Sequence, residues 1–130
     1  MCLSEQLFNL YPNMFIDLPY IECDNGWNNI ISDFCYNINI IHKQLTEDQS
    51  FKIEQLKEKF GVLTIYLSHY PEDKVIYNNI KEIILNSVKQ SSITCEICGA
   101  PGRLRTGIWI KCKCDNCYDK YPGSRKPLLL

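Results

Sequence analysis

An α+β fold is what this 130-residue chain predicts, and three features carry the prediction. Apolar residues recur at three- and four-residue intervals in two segments, as on amphipathic helices. Between those segments a β-branched and aromatic run is broken at Lys59-Phe60-Gly61, as a hairpin is. Near the carboxy end stand Cys95-Glu-Ile-Cys98 and, after fifteen intervening residues, Cys114-Asp-Asn-Cys117. Two such turns aim four thiolates at one point, the arrangement that closes a tetrahedral shell around zinc. The expected organisation is an α+β body over residues 1–90 with two main helices and a β-hairpin, a zinc ribbon over 91–119, and a tail over 120–130.

Taken in order, Ser4 is the expected cap of a short helix carrying Leu7, Phe8 and Leu10, which Tyr11-Pro12 ends. Asp17 to Glu22 reads as extended, and Asp24-Asn25-Gly26 as a turn that caps the next helix. Trp27, Ile30, Ile31, Phe34, Cys35, Ile38 and Ile41 then give an amphipathic helix of about four turns. It ends near His42 and Lys43, read as cations at the negative end of the helix dipole. Residues 51–67 form the hairpin. The acidic end of His69-Tyr-Pro-Glu-Asp73 precedes a second helix with Ile76, Ile80, Ile83, Ile84 and Val88 on one face. Ser91 to Thr94 is a linker.

Within the ribbon, Gly99 follows Cys98 where a cysteine turn needs a strained backbone. Arg103 to Lys111 has the content of strands and breaks at Thr106-Gly107. Five of the eight cysteines lie in this region. Cys112 pairs with no neighbour at the right spacing and is assigned no metal role. Cys2, Cys23 and Cys35 stand alone, and Cys35 falls on an apolar helix face, where burial is its role. An even cysteine count also suits a disulfide framework. The start of the chain, however, lacks the basic and apolar regions of a secretory signal, and no stretch approaches the ~18 apolar residues of a membrane span. A reducing, cytoplasmic compartment follows, where this spacing binds metal.

The net charge of −1 hides an asymmetry. Residues 1–90 carry seven Lys/Arg against twelve Asp/Glu, and 91–130 carry seven against three, so the two parts stand at −5 and +4. Four thiolates around Zn²⁺ contribute about −2, leaving the second part mildly basic and short of the usual nucleic-acid footprint. Catalytic patterns fail one by one. A zinc deaminase needs His-x-Glu and Pro-Cys-x-x-Cys. A nuclease of the His-Asn-His type needs histidines beside the cysteine turns, whereas His42 and His69 lie far upstream. No phosphate-binding glycine loop occurs. Glu22, Asp24 and Trp27 are the one acidic turn able to hold a second metal or stack a base; the simpler reading is a turn with Trp27 anchoring it to the core. Lys57 and Lys59 read as the solvated edge of the hairpin.

The blocks Glu22-Cys-Asp-Asn-Gly-Trp27, Leu56-Lys-Glu-Lys-Phe-Gly61 and Cys95-Glu-Ile-Cys-Gly-Ala-Pro-Gly102, ahead of Trp109 and Cys114, occur in that order. This trio resembles an uncharacterised family of small bacteriophage and bacterial proteins with a Glu-Cys-Gly-Asp-Gly-Trp-like turn, a Lys-Glu-Lys-Phe-Gly hairpin block and a terminal zinc knuckle. The chain departs from that pattern at Cys117, where a histidine is typical, and at Val62, which replaces a second glycine. The first departure keeps a tetrahedral donor set; the second bears on the turn. The resemblance brings no established activity.

The expectation is therefore a cytoplasmic protein holding one structural Zn²⁺ on Cys95, Cys98, Cys114 and Cys117. It acts by binding rather than catalysis. Its expected partner is a protein, of the host or its defences if the phage resemblance holds, met by Arg103, Arg105, Trp109, Lys111 and Lys113. The alternative is nucleic acid, with the same basic residues on phosphates and Trp109 stacking. An enzyme using the Glu22/Asp24 turn ranks third.

Overall fold

The computed structural model describes residues 1–107 and 109–120; the expected tail lies outside the described residues from 121 onward. Helix α1 spans Leu3–Leu10 and is followed by a 3₁₀ turn at Pro12–Met14. Strand β1 (Ile21–Glu22) leads through a 3₁₀ turn (Asn25–Trp27) into α2 (Asn28–His42). Strands β2 (Ile53–Lys59) and β3 (Val62–Leu67) precede α3 (Lys74–Ser91). The carboxy-terminal part holds β4 (Arg103–Arg105), β5 (Lys111–Lys113) and α4 (Asp115–Lys120). The chain is thus mixed helix and strand, and no described helix is long and apolar enough to cross a membrane.

The main sheet has the order β1-β2-β3, with β1 parallel and β3 antiparallel to β2. β1 is an addition to the expected hairpin. Its two residues, after Pro19, are too few to show a period. α2 packs on α3 and α3 on β3. The core is filled by Leu7, Met14 and Phe15 from the first segments, Trp27, Ile31, Phe34 and Ile38 from α2 and its lead-in, Ile53 and Leu56 of β2 across a register shift, the alternate residues Leu63, Ile65 and Leu67 of β3, and Ile80 and Ile84 of α3. Cys35 is fully buried among them, and burial pushes its thiol up to about 12, so it packs as a small apolar group.

The helix ends differ from expectation in detail. Cys2, not Ser4, is the N-cap of α1, and the Glu5 carboxylate accepts from the Cys2 amide at 3.2 Å. Asp24 makes no side-chain cap bond; the 3₁₀ turn intervenes and Trp27 occupies the N-cap position of α2. Asp73 does cap α3, accepting from the Ile76 amide at 3.0 Å. Ser91, expected in a linker, closes α3 and is fully buried. Its hydroxyl accepts from the Leu63 amide (2.8 Å) and donates to the Val88 carbonyl (2.6 Å). The helix end therefore covers part of the open edge of β3, where an unpaired strand invites mispairing.

The β2–β3 turn is a two-residue loop flanked by the pair Lys59 and Val62. Phe60 (φ 54°) and Gly61 (φ 84°) both have left-handed backbone, the requirement of a type I′ hairpin turn. Val62, which replaces the resembled family's second glycine, lies in β3 beyond the two positive-φ positions. Glycine suits position 61, but a bulky residue in this conformation costs about 1 kcal/mol or more. Phe60 recovers little of it through packing, since the residue is 70% exposed.

His42 is a correction. It is buried, its Nε2 donates to the Phe51 carbonyl at 2.9 Å, and its ring meets Phe51 edge-on at 4.9 Å. Burial holds its pKa below 6.5, assisted by the nearby Lys52 charge and opposed by the Phe51 carbonyl. It is thus a neutral fastener between the end of α2 and the start of β2 rather than a cation for the helix dipole. An unfolded histidine takes up its proton near pH 6.5, while the folded one waits for lower pH. Between those points the unfolded chain binds the extra proton, so stability is full above 6.5 and falls as pH drops toward the folded value. Urea unfolding from pH 7.5 to 5 is expected to show this loss, and His42→Gln, which keeps a donor for Phe51, is expected to flatten it. Equal slopes in both proteins would contradict the assignment.

Candidate metal centre

Each cysteine turn is built by its own local chemistry. In the first, Gly99 (φ 83°) lets the chain turn back, and its amide donates to the Cys95 carbonyl at 2.9 Å. The Ala100 amide points at Cys98 Sγ (3.5 Å). The second turn lies on α4, an element the sequence pattern did not reveal because one and a half helical turns show no period. There the Cys117 amide donates to Cys114 Sγ at 3.3 Å. β4 and β5 carry the chain between them, pairing Arg103 with Lys113 and Arg105 with Lys111. β4 ends at Arg105 and β5 begins at Lys111, so the connection is longer than the expected Thr106-Gly107 break.

All four sulfurs lie within 4.8 Å of one another, with separations of 3.6–3.8 Å and no disulfide. A tetrahedron with metal–sulfur bonds of about 2.3 Å has edges of about 3.8 Å, so the four side chains fit a metal ion without rearrangement. Among the described residues this is the one grouping of metal-ligating side chains close enough to hold an ion. Cys95, Cys114 and Cys117 are buried and Cys98 is exposed.

The acid chemistry points the same way. Burial raises the Cys95 thiol, but the amides of Cys114, Cys98 and Ile97 and the Cys98 thiol donate to it, and the outcome is a pKa lowered to about 7. Cys117 is pushed up to about 12 by burial and by hydrogen bonds among the four thiols. A first thiolate thus forms readily and suppresses the others. A divalent cation removes that opposition, which is how metal binding couples to thiol deprotonation. Cys112 takes no part. It is fully buried in the core of the body, and burial first, then the Cys95 and Glu96 charges, raise its thiol to about 11.

The first cysteine turn is joined to the acidic turn at the start of α2. The Gly26 amide donates to the Glu96 carbonyl at 2.7 Å, the Asp24 amide to Glu96 Oε2 at 3.0 Å, and Trp27 Nε1 to the Thr94 carbonyl at 2.9 Å. Trp27 is fully buried, whereas Glu22 and Asp24 are exposed. A β-carbon on Gly26 would lie 2.2 Å from the Cys95 carbonyl oxygen and 2.4 Å from that of Glu96. Burial raises the Glu96 carboxyl, partly offset by the Asp24 amide and the Lys111 charge.

A second junction lies at the β2–β3 turn. Glu58 accepts from Lys111 Nζ and from the Gly61 amide, each at 2.8 Å. Gly61 rests against Leu104 and Ile110, with 2.6 Å between an added β-carbon and Leu104 Cδ2. The three blocks that carry the family resemblance therefore meet in space.

Of the five expected surface residues, only Arg103 and Trp109 are exposed. Arg105 is buried: its guanidinium donates twice to the Lys113 carbonyl (3.1 and 2.9 Å) and to Asp115 (2.7 Å), and stacks over Tyr118 at 4.5 Å. Lys113 is buried, and Lys111 is half-buried in its ion pair with Glu58. Sequence could not reveal this, because residues 103, 105, 111 and 113 share one side of β4 and β5, and which of them is covered is decided by Asp115, Tyr118 and Glu58 from other elements. What sequence reasoning missed is Phe60 and Leu104, exposed beside Gly61 and on β4; the glycine at 61 was their only signal.

Cys114→Ser is expected to abolish stoichiometric metal uptake and to loosen the carboxy-terminal part; an unchanged metal content and melting curve would refute the site. Gly26→Ala should lower stability by about 1–3 kcal/mol, the cost of overpacking against fixed backbone, and weaken metal retention in a chelator competition. Retention equal to wild type would show that the two turns are not coupled.

No family model, curated protein or solved structure matches the chain.

Proposed function

We propose that this is a zinc protein that works by binding another protein, with zinc as a fastener and the hairpin tip as the contact. The observation that carries the reading is Phe60. It is an aromatic residue in left-handed backbone, 70% exposed, where asparagine followed by Gly61 would be the less strained choice. Strain kept at an exposed position points to use. Leu104 abuts the neighbouring Gly61 and is 39% exposed, and Trp109, 48% exposed, directly precedes Ile110, which also meets Gly61, so the tip offers apolar and aromatic side chains of the kind found at the centre of a protein contact.

The same geometry argues against nucleic acid as the partner. Arg105 and Lys111 are spent on internal carboxylates and carbonyls, leaving Arg103 exposed beside Asp115. Phosphate binding needs several free cations on one surface. Four thiolates favour zinc over oxygen-seeking ions, and its closed shell leaves no position for a substrate. Binding energy of roughly 10–16 kcal/mol is typical of such sites, enough to hold a small carboxy-terminal unit in place. Through the phage resemblance, the partner sought is a component of a bacterial host or its defences, and the compartment is the host cytoplasm.

Phe60→Asn is expected to raise stability by about 1 kcal/mol while reducing partner capture, a combination that loss of folding cannot produce. The measurement is affinity capture from a bacterial lysate, with and without nuclease, using wild type, Phe60→Asn and Trp109→Ala side by side. Proteins retained after nuclease by wild type and lost from both variants support the reading. Capture unaffected by either change, or abolished by nuclease, would overturn it.

A further inference from the structure

We infer that Cys98 is the residue at which peroxides modify this protein, and that its oxidation, completed by Cys114, opens the metal site. The inference rests on the metal reading above and concerns what distinguishes the four sulfurs. Cys95 is fully buried. Cys117 and Cys114 are buried. Cys98 alone is exposed, and its one amide, from Ala100, stands at 3.5 Å. Oxidation needs access to the sulfur, and access places Cys98 first.

A cavity of about 350 Å³ opens on Cys98 between the start of α2 and the end of α3. Asn25, Asn28, Asn29 and Thr94 line it, offering hydrogen-bond partners suited to a small polar oxidant such as a hydroperoxide. Cys98 thus borders an open, largely polar cavity. Cys2, the other exposed cysteine, is at the far end of the chain and outside the cluster.

In the first step the Cys98 thiolate attacks the terminal oxygen of the peroxide. The S–O bond forms, the O–O bond breaks, and hydroxide (or alkoxide) leaves, giving a sulfenic acid. Cys114 Sγ lies 3.7 Å away and attacks the Cys98 sulfur. The S–S bond forms and a second hydroxide leaves, so two thiolates have supplied the two electrons that reduce the peroxide. Two of the four donors are gone, one from each cysteine turn. Cys95 and Cys117 alone do not close a tetrahedral shell, and the ion is released.

The full chain is loaded with one equivalent of zinc and treated with hydrogen peroxide. Release is followed with a chromogenic chelator, and cysteine states are mapped by alkylation and peptide mass spectrometry. A Cys98–Cys114 disulfide appearing in step with the released zinc is the expected result. Cys98→His, which keeps a nitrogen donor, is expected to take up zinc and release it several-fold more slowly, while Cys2→Ser matches wild type. Zinc lost while Cys98 still alkylates, or Cys98→His releasing as fast as wild type, overturns the inference alone. A wild-type chain that takes up no zinc removes the metal reading and this one with it. Should Cys98→His not load, the mapping on wild type decides.

Discussion

The backbone of the first cysteine turn passes within a hydrogen bond of the turn that opens α2, and it can do so only because residue 26 has no side chain. The Gly26 amide meets the Glu96 carbonyl at 2.7 Å, and the Cys95 carbonyl lies where a β-carbon would be. Everything near this approach is organised by it. Trp27 is carried into the core with its indole N–H on Thr94, α2 starts from that anchor, and Cys95 and Cys98 are presented to the other two cysteines. The metal centre and the helical body are therefore coupled through main chain, where a shift of a few tenths of an ångström cannot be absorbed by a rotamer change.

Charge in this junction is arranged to be used internally. Glu96 and Glu58 are withdrawn from solvent, and Lys111 and the amides of Asp24 and Gly61 satisfy them. Arg105 plays the corresponding part for the second cysteine turn, tying the end of β5 to the first residue of α4. Half-buried ionic contacts of this kind contribute modestly to stability. They disfavour alternative placements of the small hairpin, because moving it would leave a buried carboxylate or guanidinium unpaired. Arg105 and Lys111 thus serve the structure, whereas Arg103 and Lys120 face outward among the described residues.

Two exposures stand out, Phe60 on its strained turn and Cys98. At the first, an aromatic side chain is held out on a left-handed backbone; at the second, a ligand sulfur is left open beside a polar cavity. Both sit on rigid elements, a two-residue hairpin loop and a turn fixed by Gly99, so neither exposure follows from a loose loop. Together they stand apart from the buried junction that holds the three blocks together.

Much was legible from residue order alone because the signals are local. The periods of 28–42 and 74–91, the β-branched run after Gly61, the two Cys-x-x-Cys spacings and the exclusion of Cys112 each depend on neighbours within a turn or two. The short elements escaped, since β1 and α4 are too brief to show a period and are held by partners distant in the chain. The cap at Cys2, the neutral His42 and the buried Arg105 escaped for a related reason. Residue type tells what a side chain can do in water, and burial decides what it does in the fold. Sequence by itself thus determined the longer elements and the four cysteines that come together. Only tertiary structure decided that the Asp24–Trp27 turn, the β2–β3 tip and the cysteine cluster form one junction, because that depends on close approaches between residues some seventy positions apart.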